Sequence, residues 1–275
     1  MHPQFCDPFF ELIQEDPIDL ARGALLIARE AYPRLDPAVY LQQLDRMATT
    51  VRPVLEAAPT TVERLEVLNH YLFVELGFKG NQEDYYNPRN SYLNDVLERR
   101  LGIPITLSVL YLEVGQRLGL PLAGINFPSH FLIKCTALPA SLFIDPFAGR
   151  QIIEEDELEA LLPLSSGRKL PLKQYFLEAI SHREILARML RNLKQIHAGQ
   201  QNLKQAISSG EKITWLQPDS AFDYRDLGYL YYQVKAYHQS LAAFSEYLQR
   251  TEAAADEQEI RKNIQILATQ LGTLN

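Results

Sequence analysis

The stretch from Gly102 to Gly119 constrains this chain more than any other. Pro104 suits the first turn of a helix, and Gly119 falls just past its end. Between them Ile105, Leu107, Val109, Leu110, Leu112 and Val114 leave almost no polar face. A helix that is apolar nearly all round must be covered on most sides. The remaining elements therefore have to be arranged about it. With 275 residues there is chain enough for about two domains.

The first 78 residues supply helices to one side. Asp16-Pro17 and Asp36-Pro37 each read as an N-cap followed by a proline at the first helical position. Thr60 and Glu63 have capping-box spacing, and the apolar stripe after them stops at Gly77. Gly80 to Asn90 has no apolar period and reads as a loop. Asn90 or Ser91 caps a short helix ended by Gly102. After Gly119, strand-like pieces run over 124–127, 130–135, 142–145 and 151–153, with turn signals at Pro128-Ser129 and Pro139. Turn formers at 163–169 mark a linker, and the four residues 154–157 read as an acidic helix start.

Beyond the linker a repeat emerges. Leu193, Ala206 and Pro218 carry the spacings of the tetratricopeptide pattern, and Leu227-Gly228, Tyr231 and Phe244 restart it 34 residues later. The second copy has Ser240 in place of alanine. Two copies are fewer than such arrays need alone, so the repeats are expected to dock on the rest of the protein or on Ile260 to Leu271 as a capping helix.

Composition removes several classes of function. Lys and Arg number 27 against 34 Asp and Glu, a net charge of −7 without the basic footprint of a nucleic-acid binder. No apolar run approaches the ~20 residues of a membrane helix. Met1 to Asp7 lack the basic and apolar pattern of a secretory leader. Cys6 and Cys135 are too few for a disulfide framework or a four-cysteine zinc site. His70, His182, His197 and His238 lack metal-ligand spacing, so no metal and no cofactor is expected. The expectation is a cytoplasmic protein that meets protein or peptide partners rather than nucleic acid or membrane.

Chemistry concentrates at three points: Gly102-Ile103-Pro104 opening the central helix, His130 starting one strand, and Asp145 ending the next. A nucleophile at a helix N-terminus, a histidine to take its proton and an acid to orient the imidazole make a papain-like layout. The segments Asn81 to Asn94, Leu97 to Leu107, Phe127 to Leu132 and Ile144 to Phe147 carry a family likeness. On them the chain resembles the transglutaminase-like branch of the SirB family. That resemblance implies an α+β, mostly helical fold with a helix-plus-antiparallel-sheet core. It divides the chain into N-terminal helices (1–78), a transglutaminase-like core (79–163), a linker (164–181) and tetratricopeptide-like repeats (182–275).

The resemblance also exposes a gap. Active relatives open the central helix with Gly-x-Cys and close it at a second glycine 17 residues on. Gly102 and Gly119 keep that distance, so Pro104 stands in the cysteine position. His130 and Asp145 match the family's His and Asp. Proline has neither thiol nor hydroxyl. Thr106 and Ser108 are the weak hydroxyl candidates for an alternative amide- or peptide-bond hydrolase or transferase. Thr106 is rotated roughly 200° from the slot, and Ser108 lies deeper on a similar face. Cys135 is five strand steps from His130, about 16 Å away on the opposite face. The expectation is therefore a non-catalytic, scaffolding or regulatory protein-binding module. Tyr85, Tyr86, Arg89 and Asn90 are candidates for a binding lip beside the old cleft. Tyr229, Tyr232 and Tyr237 are candidates for a partner surface on the repeats.

Overall fold

A computed structural model describes residues 7–137, 142–149, 151–165, 168–251 and 255–274, so Cys6 lies outside the described residues. The chain divides into two compact units, residues 1–189 and 190–275. The fold is mostly helical with small sheets.

In the first unit, α1 (Pro8–Leu12) follows Asp7, whose side chain accepts from the Phe9 N–H. The helix α2 (Leu20–Ala28) is capped by Asp19, which accepts from the Arg22 N–H at 2.9 Å. The Asp16-Pro17 start expected from sequence is thus corrected by three residues: only Asp19 stands where the first free amides of the helix can be reached. The other two starts fall where the capping residues place them. Asp36 accepts from Ala38 N–H at the head of α3 (Pro37–Ala57), and Thr60 with Glu63 closes a capping box on α4 (Thr61–Asn69). The last turns after α4, His70–Glu75, wind more loosely with π-type bonding.

The strand β1 (Lys79–Gly80) runs parallel to β2 (Leu101–Gly102), with Gly80 opposite Gly102. Between them lie the loop and α5 (Leu93–Arg99). Arg100, in the left-handed region at φ 59°, ends that helix two residues before the glycine expected to do so. Then comes α6 (Pro104–Arg117), buried along Ile105 to Gly115 and closed by Gly119 at φ +75°. On one side α6 meets α2 and α3. On the other it meets an antiparallel meander of β3 (Leu122–Ile125), β4 (Leu132–Cys135), β5 (Leu142–Asp145) and β6 (Gln151–Glu154).

The far face of that sheet is covered by α7 (Leu158–Leu161) and by the segment read as a linker. Leu164–Ser165 (β7) pairs antiparallel with Arg168–Lys169 (β8), and Leu170, Leu172, Phe176 and Leu177 then pack on Ile125, Phe127, Leu132 and Phe143. The apolar residues after β8 bury themselves, which a free linker would not do. The helix α8 (His182–Gly199) crosses the boundary between the units. Its first turns belong to the first unit, with Leu186 against Gly23 and Ile185 against Gly124.

The second unit continues from Leu190 through α9 (Leu203–Leu216), α10 (Ala221–Gln233), α11 (Tyr237–Arg250) and α12 (Glu257–Leu274). α10 packs on α9 and α11, and α11 on α12. At Gly228 a Cβ would stand 2.6 Å from the Phe244 ring, so only glycine admits that ring. Ser240, the departure from the repeat pattern, donates to the Gly228 carbonyl at 2.8 Å. Ile260 and Leu267 of α12 bury themselves with Phe244 and Tyr247.

Candidate functional site

His130 sits in the turn before β4, not in the strand itself. Its N–H donates to the Phe127 carbonyl at 2.9 Å, and Ser129 takes a left-handed φ of 64° to make the turn. Asp145 is the last residue of β5. Its Oδ2 lies 3.3 Å from His130 Nδ1, while Oδ1 accepts from the backbone N–H groups of Phe147 and Ala148 at 2.9 and 3.2 Å. With a carboxylate as partner, Nδ1 carries the hydrogen, and Nε2 is the nitrogen free for other work. Asp145 is almost wholly buried and His130 partly exposed, with side-chain exposures of 7% and 31%.

The first position of α6 carries no side-chain nucleophile. Pro104 occupies the first position of α6, and a proline there brings neither side-chain donor nor backbone N–H. Thr106 is fully buried. Its hydroxyl accepts from Ile103 N–H at 3.1 Å and donates to the Asn90 carbonyl at 2.7 Å. Ser108, also fully buried, donates to the Phe131 carbonyl at 3.4 Å. That bond ties α6 to the residue after His130, and Pro104 lies one turn nearer the helix start. Cys135 is a buried free thiol at the other end of β4.

The candidate lip separates into two kinds of residue. Asn90 is fully buried and holds the loop together: Nδ2 donates to the Asp84 carbonyl at 2.7 Å, and Oδ1 accepts from Asn81 and Arg99. Arg89 grips the buried carboxylate of Asp95 at 2.7 Å, and Tyr32 donates to the same group. Bonding to Asp95 raises the Arg89 pKa. Tyr85 and Tyr86 face outward, with 38% and 66% exposure. Their rings meet edge-on, and Tyr85 also meets Phe147, two residues past Asp145. Phe147 lies so close over Gly80 that a Cβ there would be 2.5 Å from its ring. The lip and the Asp145 turn are thus one packed surface.

Arg188 was not singled out by sequence. From α8 it donates to the Asn126 side chain and, at 3.0 Å, to the His130 carbonyl, and it lies over the Phe131 ring. Its distance in sequence from the motif, inside a segment that reads as repeat, hides it.

In the second unit, a groove of about 550 Å³ is lined by Arg191, Lys194, Phe222, Asp223, Asp226 and Tyr229. Its charges neutralise one another: Arg191 meets Asp223 at 2.5 Å, and Lys194 meets Asp226 at 2.9 Å. Burial opposes ionisation of Asp223, but Arg191, Ser220 and Lys194 together hold its carboxyl below the usual value. Of the candidate tyrosines, Tyr229 donates to Glu259 at 2.9 Å and packs on Phe244. Burial, with Glu259, pushes its phenol up to about 12. Tyr237 is partly buried against the same core, and Tyr232 is 40% exposed. Among the described residues no group of three His, Cys, Asp or Glu side chains could hold a metal ion, and no helix is long and apolar enough to cross a membrane.

A buried helix backed by an antiparallel sheet, with His and Asp meeting at the sheet's end, defines a transglutaminase-like protein, and here helical repeats follow it. The family pattern described as the transglutaminase-like superfamily matches residues 38–191, more than half of the chain, and a tetratricopeptide-repeat pattern matches 193–265. The chain belongs to the transglutaminase-like superfamily. It is similar to a UPF0162 protein of Xylella fastidiosa, 36% identical over 240 residues that cover 86% of this chain and 85% of the relative. A UPF0162 protein of Pseudomonas aeruginosa is 33% identical, covering 82% of each chain. F-box only protein 21 of Mus musculus is 38% identical over 137 residues, 47% of this chain and 21% of that protein.

Proposed function

We propose that this chain is a non-catalytic, SirB-type transglutaminase-like protein, working in the cytoplasm, whose old cleft and C-terminal repeats bind protein partners. The observations that support the reading are the His130–Asp145 pair, the start of α6 at Pro104, and the bond from Ser108 of that helix to the residue after His130. Covalent catalysis of the papain type needs a thiol or hydroxyl for the imidazole to activate. The two hydroxyls on that helix, Thr106 and Ser108, are buried and bonded to backbone carbonyls instead. The tetratricopeptide match supports the second half of the reading, since stacked helix pairs offer extended surfaces for other proteins. Exposed Phe222 and Tyr232 give such a surface its aromatic contacts.

The test pairs chemistry with binding. Serine- and thiol-directed activity probes are expected to leave the folded protein unlabelled. Labelling at Ser108 or Thr106 that disappears in His130→Ala would overturn the non-catalytic reading. Affinity capture with quantitative mass spectrometry, run on wild type, Phe222→Ala, Tyr232→Ala and His130→Ala, locates the partner surface. Partners lost with the repeat variants place recognition on the repeats, and partners lost only with His130→Ala place it in the cleft.

A further inference from the structure

Arg188 is a cation without a counter-charge beside the His130–Asp145 pair. Its two hydrogen-bond partners, the Asn126 amide oxygen and the His130 carbonyl, are both neutral. The guanidinium carbon lies 5.2 Å from the centre of the Phe131 ring, which is also uncharged. Among the described residues no carboxylate comes within ion-pair distance of it. The contrast with neighbouring arginines is direct. Arg89 is paired with Asp95 at 2.7 Å, and Arg117 with Asp45 and Glu113 at 2.7 and 2.6 Å. Their pKa values are raised, whereas burial lowers that of Arg188. Removing a charge from water without a partner is costly, and an anion that enters later recovers that cost.

The surroundings supply the other donors. A guanidinium has five N–H groups in one plane, of which two are engaged here. Tyr85 is close enough that the charge of Arg188 opposes the upward pull of burial and Tyr86 on its phenol. His130, whose own carbonyl holds Arg188, borders the site without donating to it, since its one N–H is turned to Asp145. We propose that Arg188, with Tyr85, forms a subsite beside His130 for a carboxylate group of a bound polypeptide, either its C-terminus or an acidic side chain.

A carboxylate suits this place better than a phosphate. One guanidinium offers a single positive charge, its planar fork matches two carboxylate oxygens, and three of its N–H groups remain beyond the two engaged. Asp145 nearby and a net charge of −7 disfavour a dianion. The inference rests on the cleft binding polypeptide, and it names the chemical group that the cleft reads.

The experiment is a titration of the full chain, ¹⁵N-labelled in its histidine and arginine side chains. Three small probes are used: acetyl-alanyl-alanine with a free carboxylate, acetyl-alanyl-glutamyl-alanine amide, and the corresponding glutaminyl amide. At least one of the two acids is expected to shift the His130 and Arg188 side-chain signals saturably. The first acid reports a C-terminus and the second a side chain. The glutaminyl amide is expected to leave both signals in place. Arg188→Gln should weaken the bound acid about tenfold, the loss of one charged hydrogen-bonding partner. Tyr85→Phe, which leaves the guanidinium intact, should weaken it less and serves if Arg188→Gln does not fold. No shift with either acid, an equal shift with the glutaminyl amide, or unchanged affinity in the folded variants overturns the subsite. The masses of the probes are followed in parallel. Cleavage of a probe would count against the non-catalytic reading and leave the subsite standing, whereas intact probes that fail to bind would count against the subsite alone.

Discussion

Asp145 divides its carboxylate between two tasks, offering Oδ2 to His130 Nδ1 at 3.3 Å and Oδ1 to the amides of its own turn at 2.9 and 3.2 Å. The pair is therefore structural on one side and chemical on the other. The two sides can be separated by substitution.

Asp145→Ala removes both sets of bonds from a buried position and is expected to cost about 2–3 kcal/mol. Asp145→Asn keeps an oxygen for the turn and should cost nearer to ~1 kcal/mol, as should His130→Ala. Urea unfolding of the three variants at neutral pH tests this order. Equal losses in Asp145→Ala and His130→Ala would show that the turn bonds carry no weight.

Thr106 satisfies two buried backbone groups, the Ile103 N–H and the Asn90 carbonyl, with one hydroxyl. Thr106→Val leaves both without partners at nearly constant volume, for an expected loss of about 2–3 kcal/mol, whereas Thr106→Ser retains them. Chemical denaturation that cannot tell valine from serine here would refute the assignment.

In the repeat unit, Gly228→Ala drives a methyl into the Phe244 ring and should destabilise by about 1–3 kcal/mol. A companion change of Phe244 to Leu is expected to recover part of that loss. Thermal melts of the single and double variants provide the check, with simple additivity as the result that would count against a direct clash.

Acid should act on this unit through Asp223. Its carboxyl is held below the unfolded value of 3.8, so its contribution is complete above that value and disappears as pH falls through the lower folded pKa. Glu113 has the opposite sign. Burial raises its carboxyl above 4.5 despite Arg117, so its stabilising share is present below 4.5 and is lost as pH rises through the raised value. Stability measured against pH should therefore have a shallower acid-side slope in Asp223→Asn, the remainder including Asp256, whose carboxyl Tyr247 and Arg225 also hold low, and Glu113→Gln should reduce a decline on the higher side. Unchanged slopes in both would dispose of the linkage.

Cys135 is a buried free thiol at the far end of β4 from His130. Cys135→Ala should cost about 1–2 kcal/mol and leave partner capture intact, as expected of a small buried hydrophobe. Loss of capture by a folded Cys135→Ala protein would give the thiol a role that nothing in its surroundings suggests.

Local signals in the sequence carried the fold well. The stops and starts around Asp36, Thr60, Pro104 and Gly119 are decided within a few residues by free backbone amides and by φ, and the residue types at those positions expose them. Asp16 misled because three acidic candidates lie near one helix start, and only the chain's path selects Asp19. Arg100 ends α5 in a left-handed turn that residue type does not announce. The apolar residues after β8 looked like a linker because their partners, Ile125 and Phe143, come from strands far earlier in the chain. The meeting of His130 with Asp145 could be anticipated from a hairpin. Arg188 could not, since 58 residues separate it from His130 and its partners include a backbone carbonyl that carries no sequence signal.

Asn90 fastens the loop from Asn81 to Tyr85 through its side chain, and its own carbonyl is pinned by Thr106. Tyr85 and Tyr86 are thus displayed on a segment whose conformational entropy is lost when the protein folds. A visiting chain need not wait for this rim to order itself, so its association rate is set by encounter and by its own flexibility. Slackening the ring at Asn90 should then show first in how fast a partner arrives, before it shows in how long the partner stays.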